Sequence, residues 1–262
     1  MKKILFIAGT VVLVTAFGYN KDHSKKGIFK GEEVSVHGGR AWTWTKIGKK
    51  GAPEKIGVTL TDAALNSVPI GNGTTGHGHG HSAENNWVIK FNKVAGTVLP
   101  FNFVLMNWNP NGHDPVTIYD KPHFDVHFYT STPEEVLAIP PYDADSLKFK
   151  NVPRPEYLPA AYVNTGHNLQ QMGAHWVDVT SPELHGKPFT ETFIFGTFDG
   201  EITFYEPMIT LDFLKNQKNY ERKIPVPTKF QETGWYPTIM RVVKHDGETE
   251  IVLDGFVYRQ KS

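Results

Sequence analysis

The chain has 262 residues and carries 27 basic and 27 acidic side chains, so its formal net charge is zero. No basic excess or basic stripe occurs in the sequence, which argues against nucleic acid as a partner. The sequence contains no cysteine. Disulfides and thiolate ligands are therefore excluded, and any transition metal would be bound by His, Asp or Glu.

The beginning of the chain has the order of a secretory signal peptide. A positively charged start, residues 1–3, precedes an apolar run at 4–17 and the small residue Gly18. This run is shorter than the ~20 residues that a transmembrane helix needs. We predict that residues 1–18 are a signal peptide, that the protein is exported to the periplasm or the extracellular space, and that no stable membrane anchor remains after processing. An uncleaved membrane tether is the alternative, because lysines follow closely within 21–26.

The rest of the sequence favours one all-β domain. Its 24 glycines, 18 prolines and 13% aromatic residues are typical of many short strands joined by tight turns. A charged segment, residues 19–33, precedes the predicted domain at 34–262. The sequence has no internal repeat and no sustained helical period. We therefore predict a barrel or a two-sheet sandwich with short helices and long loops.

Alternation of apolar and polar residues, interrupted by turn residues, gives the predicted elements. Two short helices are predicted at 62–67 and 132–138, the second from an N-cap threonine followed by proline and glutamate. The Pro-rich stretch 140–159 is predicted to be irregular. The last four predicted strands form two hairpins. The predicted strands are 40–47, 56–61, 86–91, 101–108, 123–130, 192–198, 201–205, 238–244 and 250–258.

The strand at 123–130 carries the first candidate metal ligands. Alternation places His123, Asp125 and His127 on one face of this strand. The two histidines are four residues apart, or ~13 Å along a flat strand, which is too far for one ion. Three solutions stay open: a bulge brings them together, Asp125 joins only one of them, or one histidine acts outside the coordination sphere. A polar stripe facing solvent is the structural alternative.

His175 is the second candidate, within the segment 173–179. It shares a strand face with Val177 and Val179. A histidine on an apolar face must be neutral and hydrogen-bonded, or it must bind a metal. The sequence leaves both roles open.

Glu206 is the third candidate, at the end of the hairpin that turns at Asp199-Gly200. A two-residue turn predicts a register in which Glu206 lies opposite Phe193 and beside Phe195 and Phe204. A carboxylate on such a face needs a cationic partner, a metal or a raised pKa. A solvated position at the end of the strand is the alternative.

Together these segments predict one divalent metal site. Histidine and carboxylate ligands suit zinc, manganese, iron, nickel or copper, and the spacing does not distinguish among these metals. The predicted ligands are His175, Glu206 and two of the three residues His123, Asp125 and His127, and the sequence does not decide which two.

Two further histidine-bearing loops have open roles. The run Gly76-His77-Gly78-His79-Gly80-His81 belongs to a class of tracts that bind metals weakly without a fold. It could be a lid over the site, a metal-collecting arm or simply a polar loop. His113 lies in a turn-rich loop before the strand at 123–130 and could be near the mouth of the site, although loop histidines are usually only solvated.

Several longer motifs carry a resemblance to a known family, over roughly residues 71–214. They are Trp108-Asn109-Pro110, Gly112-His113, Pro122-His123-Phe124-Asp125, His127-Phe128-Tyr129, Gly173, His175-Trp176, Phe189–Phe193 and Phe204–Thr210. In these motifs the chain resembles a bacterial family of exported proteins catalogued only as a domain of unknown function. The resemblance implies a β-rich, barrel-like fold and a ring-shaped homo-oligomer, and it implies no activity.

Three functions stay open at this point. In the first, the protein binds a metal that acts as a Lewis acid or activates water for chemistry on a small molecule. In the second, it is a non-catalytic module that holds a small organic ligand against aromatic side chains. In the third, it is an oligomeric structural protein of the cell envelope.

Overall fold

The computed structural model describes residues 26–71 and 83–262. Within them, antiparallel strands form two large sheets that pack face to face as a sandwich. Neither sheet closes on itself among the described strands. The prediction of an all-β fold is confirmed, and of its two alternatives the sandwich is right and the barrel is wrong. The predicted signal peptide at 1–18 and the His-rich tract at 76–81 lie outside the described residues.

The described strands have 3 to 10 residues, in agreement with the short strands that the turn-rich sequence predicts. In chain order they are β1 (Gly27–Val36), β2 (Gly39–Ile47), β3 (Pro53–Thr61), β4 (Asn86–Lys90), β5 (Phe103–Asn109), β6 (His123–Tyr129), β7 (Tyr162–Leu169), β8 (Gly173–Asp178), β9 (Glu191–Phe198), β10 (Glu201–Thr210), β11 (Asn219–Lys223), β12 (Gly234–Tyr236), β13 (Ile239–His245), β14 (Glu248–Asp254) and β15 (Val257–Arg259).

The first sheet has the strand order β1-β2-β3-β14-β13-β11, and the second has the order β4-β5-β6-β10-β9-β8-β7. Strands β12 and β15 form a small separate pair. Both predicted hairpins are present, β9 with β10 and β13 with β14. Strand β1 begins at Gly27, inside the charged segment that the sequence pattern left without a strand.

The helices are single turns or slightly longer and connect the strands. They are α1 (Asp62–Ser67), α2 (Lys93–Gly96), α3 (Pro133–Leu137), α4 (Ser146–Lys150) and α5 (Leu211–Asn216). Helix α3 begins with a capping box in which Thr132 and Glu135 satisfy each other's backbone N–H groups. Helix α4 lies in the stretch predicted to be irregular. Among the described residues, no helix combines the length and apolar composition needed to cross a bilayer.

Strand β6 is buried on both of its faces. Phe124, Val126 and Phe128 point into the core between the two sheets. The opposite face of β6 carries His123 and His127, which are 0% and 1% exposed. It is therefore enclosed as well, and the alternative of a solvent-facing polar stripe is wrong. Two smaller apolar clusters cover this outer face of the second sheet, one around Phe103, Tyr129, Val136, Met172 and Phe204, the other around Tyr119, Val177, Phe189, Ile194 and Met208.

The hairpin of β9 and β10 contains an irregularity that changes the predicted register. Near the turn Ile202 pairs with Thr197 as expected, but Phe204 then pairs with Gly196. Glu206 consequently lies opposite Ile194, and the prediction that it lies opposite Phe193 is wrong. A bulge inserts one residue and reverses the face of every later side chain. Without it, Glu206 would point into the core between the sheets, whereas it points to the outer face.

Gly196 is the residue that accommodates this bulge, and its replacement tests the local packing. A Cβ at position 196 would overlap the ring of Phe204. Because that ring is fully buried, we expect Gly196→Ala to lower the free energy of unfolding by about 2 kcal/mol, measured by urea denaturation. Gly96→Ala is the control, since nothing lies within 4 Å of its added Cβ. Equal midpoints for Gly196→Ala and wild type would contradict this packing.

Candidate metal centre

Three strands of the second sheet bring His127, His175 and Glu206 together on its outer face. His127 is on β6, His175 on β8 and Glu206 on β10, and all three are buried. One ligand atom from each residue lies within 4.8 Å of the others. Nε2 of His127 is 3.4 Å from Oε1 of Glu206. Ligands bound at ~2.0–2.2 Å to a common ion lie roughly 3–3.5 Å from each other, so the pair His127 and Glu206 has the spacing of two ligands of one ion.

The ring of Phe204 packs against both imidazoles of this group. Its centroid is 4.8 Å from that of His127 and 5.4 Å from that of His175. The ring can lie there because Gly196, on the strand between β10 and β8, has no side chain. The same bulge that turns Glu206 outward therefore also places the aromatic ring on which both histidines pack.

Backbone carbonyl groups orient both imidazoles. Nδ1 of His127 is 3.3 Å from the carbonyl oxygen of Leu105, and Nδ1 of His175 is 3.2 Å from that of His167. A carbonyl only accepts, so each Nδ1 carries a proton and Nε2 holds the lone pair in the neutral ring. This arrangement is common around metal-bound histidines, because it fixes the tautomer and aims Nε2 at the ion.

Burial disfavours charge in this group unless a cation is bound. It raises the pKa of Glu206 well above its ordinary value, and the negative charge of Asp125 raises it further. Burial, together with nearby His167 and His127, lowers the pKa of His175 to about 3. Oε2 of Glu206 is buried and has no hydrogen-bond partner among the described residues. A divalent cation would supply the missing partner and favour the ionised carboxylate.

His123 and Asp125 belong to a second group rather than to this one. Nε2 of His123 is 3.1 Å from Oδ1 of Asp125, and Nε2 of His113 is 3.5 Å from Oδ2 of Asp125. Strand β6 runs without a bulge against β5. Of the three solutions to the spacing problem, the structure has the one in which Asp125 joins only one of the two strand histidines. The five candidate ligands thus divide between two neighbouring groups.

The second group has a different electrostatic balance. Burial alone would raise the pKa of Asp125, but the neighbouring His123 and His113 lower it well below its usual range. Burial would likewise lower the pKa of His113, yet its hydrogen bond to Asp125 and the charge of that carboxylate raise it. Nδ2 of Asn109 also donates to Oδ2 of Asp125 at 2.7 Å. The two buried carboxyl groups of the site therefore have pKa values displaced in opposite directions.

A cavity of about 260 Å³ adjoins both groups. Strand β7 bulges away from β8 between Asn164 and Asn168, and residues 165–167 of that bulge form part of the wall. The remaining wall is mostly apolar, with Met172, Val177, Leu184, Ile194 and Met208. The cavity is large enough for a few water molecules or one small organic molecule.

Several cavity residues were missed or underrated by sequence reasoning. His113 was named only as a neighbour of the mouth, whereas its imidazole contacts Asp125. Tyr119 and His167 were not singled out, although both line the cavity. Neither lies in a strand pattern that marks a buried face: Tyr119 is in a loop, and His167 lies within the bulge of β7. For His113 the sequence did offer a signal: the turn motif that contains Asn109 and His113 precedes the strand of His123 and Asp125, which places His113 near that strand.

The hydroxyl of Tyr119 offers a test of the burial at this cavity. It is buried and has no hydrogen-bond partner among the described residues. Because an unpaired buried hydroxyl is unfavourable, we expect Tyr119→Phe to leave the free energy of unfolding unchanged or to raise it by up to about 1 kcal/mol. Tyr162→Phe is the control and should lose about 1 kcal/mol, since its hydroxyl donates to the carbonyl oxygen of Phe193 at 2.8 Å. If urea denaturation gave the same loss of unfolding free energy for Tyr119→Phe and Tyr162→Phe, the hydroxyl of Tyr119 would have a hydrogen bond equivalent to that of Tyr162.

Comparison with known proteins gives no match for this chain: no protein-family model, no curated protein and no solved structure is significantly similar to it. The resemblance to the exported family of unknown function therefore stays a prediction. Buried His, Asp and Glu side chains that could hold a metal ion are present in two groups, and the function has to be argued from them.

Proposed function

We propose that this chain is an exported metal-binding protein that holds a divalent transition-metal ion with His127, His175 and Glu206. The observation that carries the proposal is the convergence of their three ligand atoms within 4.8 Å at a buried position beside the cavity. The cost of burying a carboxyl group there supports a cation as its partner. The signal-like residues 1–18 support export.

Two imidazoles and one carboxylate form a ligand set with known chemical uses. The set binds zinc in several hydrolases and Fe(II) in oxygenases, and in both it leaves coordination positions open. Three protein ligands do not complete a tetrahedral or an octahedral sphere. The remaining positions of an ion at this place would face the cavity, because His127, His175 and Glu206 all line it.

An open position beside a cavity supports chemistry on, or binding of, a small molecule. A metal ion there would polarise a bound oxygen atom or lower the pKa of a bound water. The apolar wall formed by Met172, Val177, Leu184, Ile194 and Met208 supports a ligand with a substantial hydrocarbon part. Non-catalytic binding of such a ligand at the metal is the second candidate function, and the same wall favours it.

Metal analysis of the untagged full-length chain tests the proposal. After dialysis against zinc and then against metal-free buffer, we expect bound zinc measured by mass spectrometry to fall by one equivalent in His175→Ala and in Glu206→Gln. Removal of one ligand abolishes the three-ligand set and weakens binding by more than the roughly 10–100-fold typical of an outer-shell partner. Retention of the full wild-type metal content in both variants would sink the proposal.

Two control variants separate this site from other histidines and carboxylates. His245→Ala and Glu232→Gln remove exposed side chains and should keep the wild-type content. A third variant replaces His77, His79 and His81 by asparagine, because that tract also offers imidazoles. If the zinc is lost only in this third variant, the tract rather than the enclosed group binds the metal.

Metal removal should also change stability. A ligand that binds only the folded state stabilises it by about 2.7 kcal/mol at a concentration 100 times its dissociation constant. For a chain of this size that corresponds to roughly 5–10 °C in Tm. We expect zinc to raise the Tm of wild type by at least this amount in differential scanning calorimetry, chelator to reverse it, and Glu206→Gln to show a smaller shift than wild type. An unchanged Tm on addition of chelator to the zinc-loaded protein would count against the site.

A further inference from the structure

The group beside the proposed centre has the composition of a second metal site. His113, from the loop after β5, meets His123 and Asp125 of β6, and one ligand atom from each lies within 4.8 Å of the others. The distances from Asp125 to the two imidazoles are 3.1 and 3.5 Å, close to the separation expected between ligands of one ion. His123 is 0% exposed and Asp125 4% exposed.

The imidazoles of this group are oriented in the same way as those of the first. Nδ1 of His113 is 2.7 Å from the carbonyl oxygen of Asp114, and Nδ1 of His123 is 2.6 Å from that of Lys121. Both rings therefore turn Nε2 toward Asp125. A neutral imidazole and a carboxylate facing each other through lone pairs repel, so a proton or a cation must lie between them.

Asn109 orients the carboxylate of Asp125, as outer-shell residues orient the ligands of a metal ion. Asn109 donates to Oδ2 of Asp125 at 2.7 Å, while Oδ1 is buried and has no hydrogen-bond partner among the described residues. The Nδ2 atom of Asn109 also lies 3.4 Å from Nε2 of His123. The amide thus fixes one carboxylate oxygen and leaves the other directed toward His123.

The charge of the cavity wall favours more than one cation. Asp114, Asp125 and Glu206 all line the cavity, and no Lys or Arg lines it within the described part of the chain. Asp125 and Glu206 belong to different groups, so a cation bound by Glu206 alone would leave the buried carboxylate of Asp125 without a cation of its own.

We infer that His113, His123 and Asp125 bind a second divalent cation, so that the protein holds two ions side by side along β6. Asp125 and His127 are two residues apart on the strand, which places their Cα atoms about 6.6 Å from each other. Both side chains line the same cavity. A small molecule in that cavity would therefore lie within reach of both ions, and the second site does not need the first in order to form.

Stoichiometry distinguishes the two sites. The full-length untagged chain, with His77, His79 and His81 replaced by asparagine, is equilibrated with zinc, and bound metal is counted by mass spectrometry. We expect two equivalents in this background, one after His113→Ala or Asp125→Asn, one after Glu206→Gln, and none in Asp125→Asn combined with Glu206→Gln. A single equivalent that His113→Ala leaves unchanged would overturn the second site and assign the group as a charged His–Asp pair.

The outcomes also separate this inference from the proposed function. One equivalent that is lost in His113→Ala but kept in Glu206→Gln would sustain the second site and refute the first. Circular dichroism checks that each variant is folded. If Asp125→Asn does not fold, His113→Ala still tests the second site, because it changes only a loop residue. An independent measurement uses the asparagine-substituted background with both sites intact, saturated with Cu(II). Two neighbouring Cu(II) ions broaden the electron paramagnetic resonance spectrum by dipolar coupling. A spectrum without that broadening at saturation contradicts the pair of sites.

Discussion

Burial of both faces of the second sheet is the constraint on which the site depends. One face packs into the core between the sheets, and loops and two apolar clusters cover the other. Charged and polar groups on that covered face cannot be solvated by bulk water, so they must be partnered within the protein. Strand β6 places His123, Asp125 and His127 there. Their close approach to other titratable side chains follows directly from the enclosure.

A single residue inserted in β10 decides which side chains lie beside the histidines of the outer face. The bulge between Ile202 and Phe204 moves Glu206 from the face of the inter-sheet core to the covered outer face. The same shift brings Phe204 over Gly196, where its ring packs against His127 and His175. Bulges are frequent beside functional sites because they redirect a side chain without breaking the sheet. Here the bulge brings a carboxyl group to two imidazoles and supplies the aromatic ring that packs against both of them.

The two buried carboxyl groups differ in their surroundings and therefore in their charge. Asp125 contacts two imidazoles and an amide donor, which favour its ionised form. Glu206 is buried and lies near the negative Asp125, and both effects favour its protonated form. Opposed pKa displacements of two carboxyl groups within one cavity are frequent at functional sites. A cation at Glu206 would remove the difference by taking the place of its proton.

The sequence by itself determined most of the strands, the helix cap at Thr132, the two hairpin turns and the face on which the residues of β6 lie, because alternation and turn chemistry are local properties. It also identified five of the buried titratable residues, since a polar residue within a patterned strand is conspicuous: His123, Asp125, His127, His175 and Glu206. The tertiary structure alone decided the register after Ile202, the separation of the candidate ligands into two groups, and the contact of His113 with Asp125. A bulge depends on packing against neighbouring strands, and a loop residue such as His113 obeys no periodicity, so neither is encoded in a local pattern. Proximity between β6, β8 and β10 arises only when the sheet assembles, because these strands are far apart in sequence.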